Sequence, residues 1–221
     1  MLGTFVTGTG TDVGKTVVAA TIAHGLAAEG RRVAVFKPAV TGLDEGGEPD
    51  HALLRRAAGS TQGDGQIAPY RYGPPASPHL AAELAGERIE PARLLAAARD
   101  AAAGADAIVC EGVGGLLVPL TLGYLVRDLA RDLALPLVVA APPGLGTINH
   151  TLLTLEAARA VGMEVESVVL TPWPRHPGEV ERSNLEAVER LGGVPVERLP
   201  EIDLTQPDGW PRLERAEGLL G

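Results

Sequence analysis

Cysteine is almost absent from this sequence. Cys110 is the one example, so an intrachain disulfide is impossible and a cysteine-built zinc cage is excluded. Lysine is nearly as scarce: of 19 basic residues only Lys15 and Lys37 are lysines, and the other 17 are arginine. No stretch reaches the roughly 18–20 uncharged apolar residues of a membrane span. The opening MLGTFVTGTG lacks a basic leader region, and Gly and Thr break its apolar run. Positive charge is in deficit, with Lys+Arg 19 against Asp+Glu 28 and a net charge of −9. That balance disfavours nucleic acid or an anionic membrane as the main partner. These absences point to a cytoplasmic protein that binds neither.

What is present is a globular composition. The 221 residues are 45% hydrophobic and 21% charged, with a mean hydropathy of +0.12. That length suits one sizeable core, and the reading is a single domain over residues 1–221. Short apolar runs at Gly3–Thr7, Arg32–Phe36, Ala105–Cys110, Leu135–Ala141, Glu166–Thr171 and Val194–Leu199 read as strands. Helical patterns at Lys15–Glu29, His51–Ala58, Pro91–Ala102, Tyr124–Ala134, Asn149–Val161 and Glu179–Leu191 alternate with them. Alternation of this kind predicts a doubly wound, mainly parallel α/β sheet with helices on both faces. Continuous apolar strands such as VAVF and LVVAA fit a sheet covered on both sides. The Gly- and Pro-rich stretch Ser60–Pro78 reads either as an ordered excursion over a site or, slightly preferred, as a long surface loop.

In such a sheet ligands bind beyond the carboxyl ends of the strands. After the first strand comes Gly8-Thr9-Gly10-Thr11-Asp12-Val13-Gly14-Lys15-Thr16, leading directly into a helix. Glycines let successive N–H groups face an anion, and the helix N-terminus adds partial positive charge. Lys15 can reach the β and γ phosphates of a nucleotide, and the Thr16 hydroxyl can ligate Mg²⁺. The strict phosphate-loop spacing puts its first glycine at Thr9, which Gly8 and Gly10 flank. The fold class is therefore P-loop NTPase-like.

The second strand ends in Phe36-Lys37-Pro38-Ala39-Val40-Thr41-Gly42. A strand-end lysine taken alone reads most simply as an exposed charge. The scarcity of lysine elsewhere favours a working ammonium in the phosphate crevice, where it can offset charge on a transferred phosphoryl group. The third strand ends in Glu111, followed by Gly112-Val113-Gly114-Gly115. An apolar strand closing on a carboxylate has the form of a Walker B strand, and its glycines admit a substrate close to the backbone. Asp50 is a candidate second carboxylate for Mg²⁺, with an N-cap for the helix starting at His51 as the strong alternative. Asn149 suits an N-cap. The five histidines show no metal-ligand spacing; His24 reads as structural, and Cys110 as core rather than nucleophile. Trp173 could face a nucleotide base or pack.

Taken together, these blocks resemble the dethiobiotin synthetase family. The likeness rests on Val6 to Thr16, Lys37-Pro38-Ala39-Val40-Thr41-Gly42, Ser77-Pro78-His79, Val109 to Gly115 and Gly146-Thr147-Ile148-Asn149-His150, and it spans residues 2–200. The resemblance implies that Asp12, Val13, Gly14, Lys15, Thr16 and Val17 hold the triphosphate of ATP, with Gly112, Val113 and Gly114 nearby. It implies Mg²⁺ on Thr16, Asp50 and Glu111, and catalytic roles for Lys37, Lys15 and Thr11. Thr41 becomes the hydroxyl that binds a diamine substrate. Gly146, Thr147 and Asn149 would meet the substrate's carboxylate tail across a homodimer interface.

The implied reaction takes 7,8-diaminopelargonic acid, CO₂ and ATP to dethiobiotin, ADP and phosphate in biotin biosynthesis. It passes through a carbamate and a carbamic-phosphoric anhydride. Some relatives carry an Asn-Asp pair for adenine after the fifth strand. This chain reads Leu170-Thr171-Pro172-Trp173 there, which leaves base contacts to Trp173 or to Leu199, Pro200 and Glu201. The same fold class includes partitioning ATPases, whose deviant loop carries a lysine where Gly10 stands. Their basic or amphipathic tail has no counterpart in the mixed charges of residues 213–218. A non-catalytic nucleotide-binding module is a further alternative, one that would have no need of Lys37.

Overall fold

A computed structural model describes residues 3–206 and 209–213, so most of the segment 213–218 lies outside the described residues. Along the chain run β1 (Gly3–Gly8), α1 (Lys15–Ala28), β2 (Val33–Phe36), β3 (Ala39–Val40), α2 (Asp50–Ala57), α3 (Asp64–Ile67), β4 (Tyr70–Arg71), α4 (Pro78–Leu84) and α5 (Pro91–Ala102). Then follow β5 (Ala107–Glu111), β6 (Pro119–Thr121), β7 (Tyr124–Leu125), α6 (Val126–Leu133), β8 (Leu137–Ala141), α7 (Thr147–Arg159), β9 (Val165–Trp173), α8 (Glu179–Gly192) and β10 (Val196–Pro200). Six strands form one sheet in the order β10-β9-β8-β1-β5-β2, and every pairing in it is parallel.

The two-residue period of a strand explains why its apolar runs are unbroken. Val6, Val35, Val109, Val138 and Val169 face one side, where Val18, Ile22 and Leu26 of α1 and Leu54 of α2 cover them. Phe5, Phe36, Ile108, Cys110 and Leu137 face the other, against Leu94 of α5 and Leu129 of α6. Toward β9 this second side is closed by Leu155 of α7 and Val188 of α8. Each expected strand is present, trimmed or extended by one or two residues. Among the described residues no helix is long and apolar enough to cross a membrane.

Three local expectations are corrected. Asn149 does not cap its helix: the cap is Gly146, whose φ of 89° is a left-handed conformation that glycine adopts freely, and α7 begins at buried Thr147. Asp50 is not a cap either. Pro49 holds that place, and the Asp50 carboxylate is drawn to Lys37 instead. The stretch Ser60–Pro78 is not a plain surface loop. It carries α3 and β4, and β4 pairs in parallel with β3 through Ala39↔Tyr70 and Val40↔Arg71. Tyr70 and Tyr72 are buried, with ring centroids 6.4 Å apart. These links fold the segment back toward the end of β2. Cys110 and His24 are as expected: the thiol is fully buried, which pushes its pKa up, and the imidazole packs edge-on against Trp210 at 5.3 Å.

At the opposite end of the sheet, Asp106 ties the start of β5 to the start of β2. It accepts hydrogen bonds from the Arg32 backbone N–H at 2.8 Å and from the guanidinium at 2.8 and 3.2 Å. The Arg32 side-chain and backbone hydrogen bonds hold the Asp106 carboxyl down at about 2. A depressed carboxyl stabilises the fold fully above its ordinary value of 3.8, and that contribution disappears as pH falls toward about 2. Asp106→Asn is therefore expected to flatten the acid limb of the stability curve between those values, as followed by chemical denaturation. An unchanged acid limb would contradict this.

Candidate active site

The loops after β1, β2 and β5 converge at the switch point of the sheet, where β1 lies between β5 and β8. The loop after β1 curls tightly. A Cβ on Gly8 would stand 2.6 Å from Val13 Cγ2 and 2.9 Å from Lys15 Cγ, so only glycine lets the lysine stem pass. Gly14 has a φ of 87°, and a Cβ there would stand 2.5 Å from Thr171 Cγ2 at the end of β9. Asp12 adopts a φ of 57°, a left-handed conformation tolerated by aspartate and often found in binding loops. Lys15 folds over this loop and donates to the Gly10 carbonyl at 2.7 Å. It is only 7% exposed, and burial lowers its pKa against the pull of Glu111.

Lys37 is 3% exposed and occupies the centre of the site. Its backbone N–H donates to the Ile67 carbonyl of α3 at 2.8 Å, fixing the end of β2. Its ammonium lies 2.6 Å from Glu111 Oε1, 2.8 Å from Asp50 Oδ2 and 3.3 Å from the Gly112 carbonyl. Burial by itself would lower the Lys37 pKa, but Glu111 and Asp50 outweigh it and hold the ammonium above its ordinary value. Burial likewise works against the charged form of Asp50, yet Lys37 keeps that carboxyl below its usual range. For Glu111, fully buried, burial pushes upward and Lys37 opposes it. Thr16 Oγ1 donates to Glu111 Oε1 at 2.8 Å, whereas Glu111 Oε2 is buried and has no hydrogen-bond partner.

These groups line a cavity of about 830 Å³. It gathers Thr11, Asp12, Gly14, Lys15, Thr16, Val17, Lys37, Thr41, Asp50, Glu111, Val113 and Gly114. Val13 and Gly112 do not line it, but Gly112 adjoins through its carbonyl. Gly146, Thr147 and Asn149 lie elsewhere, at the start of α7 beyond β8, on the far side of β1 from Lys37. Pro200 and Glu201 follow the edge strand β10 and are also outside the cavity. Trp173 packs against the core beneath α7 and α8. Glu45, Pro75, Ala76 and Val118 line the cavity although no motif marked them. The pairing of β3 with β4 brings Pro75 to Pro78 alongside, and local sequence does not reveal it. The Ser77 hydroxyl, also at the wall, contacts His79 Nδ1 at 3.0 Å.

The donor set suits Mg²⁺ associated with a nucleotide. Among the described residues no group of three or more His, Cys, Asp or Glu side chains could cage a metal. Magnesium instead takes one or two carboxylates, with substrate phosphates and waters completing an octahedron. Thr16, Asp50 and Glu111 offer that partial set, and the unpartnered Glu111 Oε2 leaves an acceptor open.

This architecture defines a P-loop nucleotide-binding protein of the doubly wound class. A family model described as "AAA domain" matches residues 3–207. The chain is 43% identical over 193 residues to "ATP-dependent dethiobiotin synthetase BioD" of Rhodococcus erythropolis, covering 86% of this chain and 84% of the relative. It is 35% identical over 197 residues to the protein of that name from Bacillus subtilis, covering 89% and 85%. The Anaeromyxobacter dehalogenans protein is 45% identical over 170 residues, covering 77% and 76%. The chain thus belongs to the dethiobiotin synthetase family. The crystal structure of a ParA family ATPase from Chlorobium tepidum aligns with a TM-score of 0.56 at 13% identity, over 98% of this chain and 96% of that one. Chloroplast FtsY from Physcomitrella patens gives 0.56 at 18%, over 99% and 65%. Both share the fold alone.

Gly14 carries a direct test of the loop. In Gly14→Ala the left-handed backbone and the collision with Thr171 should cost about 1–3 kcal/mol in the phosphate loop. ATP affinity by calorimetry should then fall roughly tenfold or more, with the helical circular dichroism retained. Wild-type affinity in the variant would contradict this account of the loop.

Proposed function

We propose that this protein is an ATP-dependent dethiobiotin synthetase, a cyclo-ligase that carboxylates 7,8-diaminopelargonic acid with CO₂ and closes its ureido ring. The observation that carries the reading is the buried Lys37 ammonium, set in one cavity with the phosphate loop and Glu111. Relatives named for this activity, matched over most of their length, support it.

The chain's own groups map onto the reaction in sequence. Backbone N–H groups from Asp12 to Val17 face the triphosphate, and Lys15 exchanges the Gly10 carbonyl for phosphate oxygens. Thr41, on the wall beyond β3, holds the diamine through its hydroxyl. One amine takes up CO₂ as a carbamate, whose oxygen attacks the γ-phosphorus and releases ADP. Lys37 and Lys15 offset charge on the transferring phosphoryl group. The second amine then attacks the carbonyl carbon of the anhydride and expels phosphate. Holding both amines in one cavity makes that closure intramolecular, where proximity is most effective. Thr16, Asp50 and Glu111 would hold Mg²⁺, which supplies Lewis-acid neutralisation of phosphate charge. No protein nucleophile is required.

The reading extends to a single domain over residues 1–221, acting in the cytoplasm as a homodimer. Gly146, Thr147 and Asn149 lie off the chain's own cavity, and Leu145 beside them is 90% exposed. Both features suit a loop that serves a partner's substrate. Base contacts are assigned to Pro200 and Glu201, at the end of the strand next to β9.

Purified protein incubated with diaminopelargonic acid, ¹³C-bicarbonate, Mg²⁺ and ATP is expected to yield labelled dethiobiotin by mass spectrometry. Lys37→Ala should lower the rate by about 100-fold or more. ATP hydrolysis with no ring-closed product would overturn the assignment in favour of a nucleotide switch.

A further inference from the structure

Lys37 does more in this geometry than face a phosphate. Its ammonium sits between the two carboxylates that the metal reading assigns to Mg²⁺, 2.8 Å from Asp50 and 2.6 Å from Glu111. A buried carboxylate needs a compensating charge, and Glu111 is entirely buried. With Lys37 in place one oxygen of each carboxylate is paired without a divalent cation, while Glu111 Oε2 has no hydrogen-bond partner. A cation bound to both carboxylates would stand against this ammonium, and the repulsion of like charges at such range is severe. Thr16 contacts the same Glu111 oxygen, so ammonium and hydroxyl converge on Oε1, beside the open Oε2.

We propose that Lys37 is a tethered cation that occupies the metal position of the nucleotide-free enzyme, so that Mg²⁺ enters only together with a nucleotide whose terminal phosphate draws the ammonium away. This rests on the assignment of Thr16, Asp50 and Glu111 as metal ligands. The entering phosphates bring the negative charge that lets the ammonium and the divalent ion share the site. One ammonium leaves the carboxylates for the phosphates, and one divalent ion takes its place between carboxylates and phosphates. The same lysine then arrives at the phosphoryl group only when metal and nucleotide are both bound, which couples assembly of the site to its loading. The chemistry this disfavours is a metal resting in the free enzyme.

The test uses Mn²⁺ as the probe, with free ion counted by electron paramagnetic resonance. Nucleotide-free Lys37→Gln is expected to bind Mn²⁺ roughly tenfold or more tightly than the wild type, and Glu111→Gln added to it should abolish the gain. The wild type should take up Mn²⁺ when a non-hydrolysable ATP analogue is present. Equal Mn²⁺ affinity of wild type and Lys37→Gln without nucleotide would overturn the proposal. No Mn²⁺ uptake by the wild type even with the analogue would remove the metal assignment and the proposal with it.

A second measurement needs no variant, because the chain has only two lysines. In protein labelled with ¹⁵N-lysine, Mg²⁺ alone at millimolar concentration should leave the Lys37 ammonium signal in place, and Mg²⁺ with the analogue should move it. Displacement of that signal by Mg²⁺ alone would contradict the tethered cation.

Discussion

The site is organised around one buried charge. Glu111 closes β5 inside the sheet, with no exposed surface, and a carboxylate there is tolerable only if it is paired. The Lys37 ammonium supplies the pairing at 2.6 Å, and Asp50 balances the lysine from the first turn of α2. That contact fixes three loops relative to one another. It joins the end of β5 to the end of β2, and through Thr16 it joins both to the helix that the phosphate loop opens. The close approach of the β1 and β5 loops follows: a Cβ on Gly115 would stand 3.6 Å from the Gly8 carbonyl, and one on Gly114 3.7 Å from Thr11 Oγ1. Those are ordinary contact distances; it is Gly114, with a φ of 60° and a Cβ position 2.8 Å from Val118 Cγ2, that requires glycine.

The parts of this arrangement written in local chemistry were legible in the sequence. Strands apolar on both faces announced a covered parallel sheet, because Val6 and Phe5 must both be buried, on opposite sides. The glycine-lysine-threonine turn announced the phosphate loop. The scarcity of lysine singled out Lys15 and Lys37, and these prove to be the two buried basic side chains of the cavity. What was not legible depends on distant pairing. The β3–β4 ladder rests on two residues at each strand, too few to leave a period, yet Pro75 and Ala76 stand at the cavity wall with Ser77 and Pro78 of the Ser-Pro-His motif. Asp50 carried a rival reading as a cap because capping and ion pairing favour the same residue type at a helix start. Glu45 gave no signal at all.

The comparison with other P-loop proteins separates fold from chemistry. A ParA family ATPase and an FtsY share the sheet at 13% and 18% identity, which is the fold and nothing more. The dethiobiotin synthetase relatives share sequence over most of their length. Thr171, in the Leu170-Thr171-Pro172-Trp173 stretch, packs its methyl against Gly14 beneath the phosphate loop. That end of β9 supports the loop, and Trp173 packs into the core beyond it.

The central claim is that the cavity transfers a phosphoryl group to a carbamate rather than to water. The oxygen of the released phosphate reports this directly. With freshly dissolved ¹⁸O-bicarbonate, diaminopelargonic acid and ATP, the account predicts phosphate carrying a bicarbonate-derived ¹⁸O as dethiobiotin forms. Unlabelled phosphate released in step with dethiobiotin would contradict it, because the γ-phosphoryl group would then have gone to water and the ring would have closed without the anhydride.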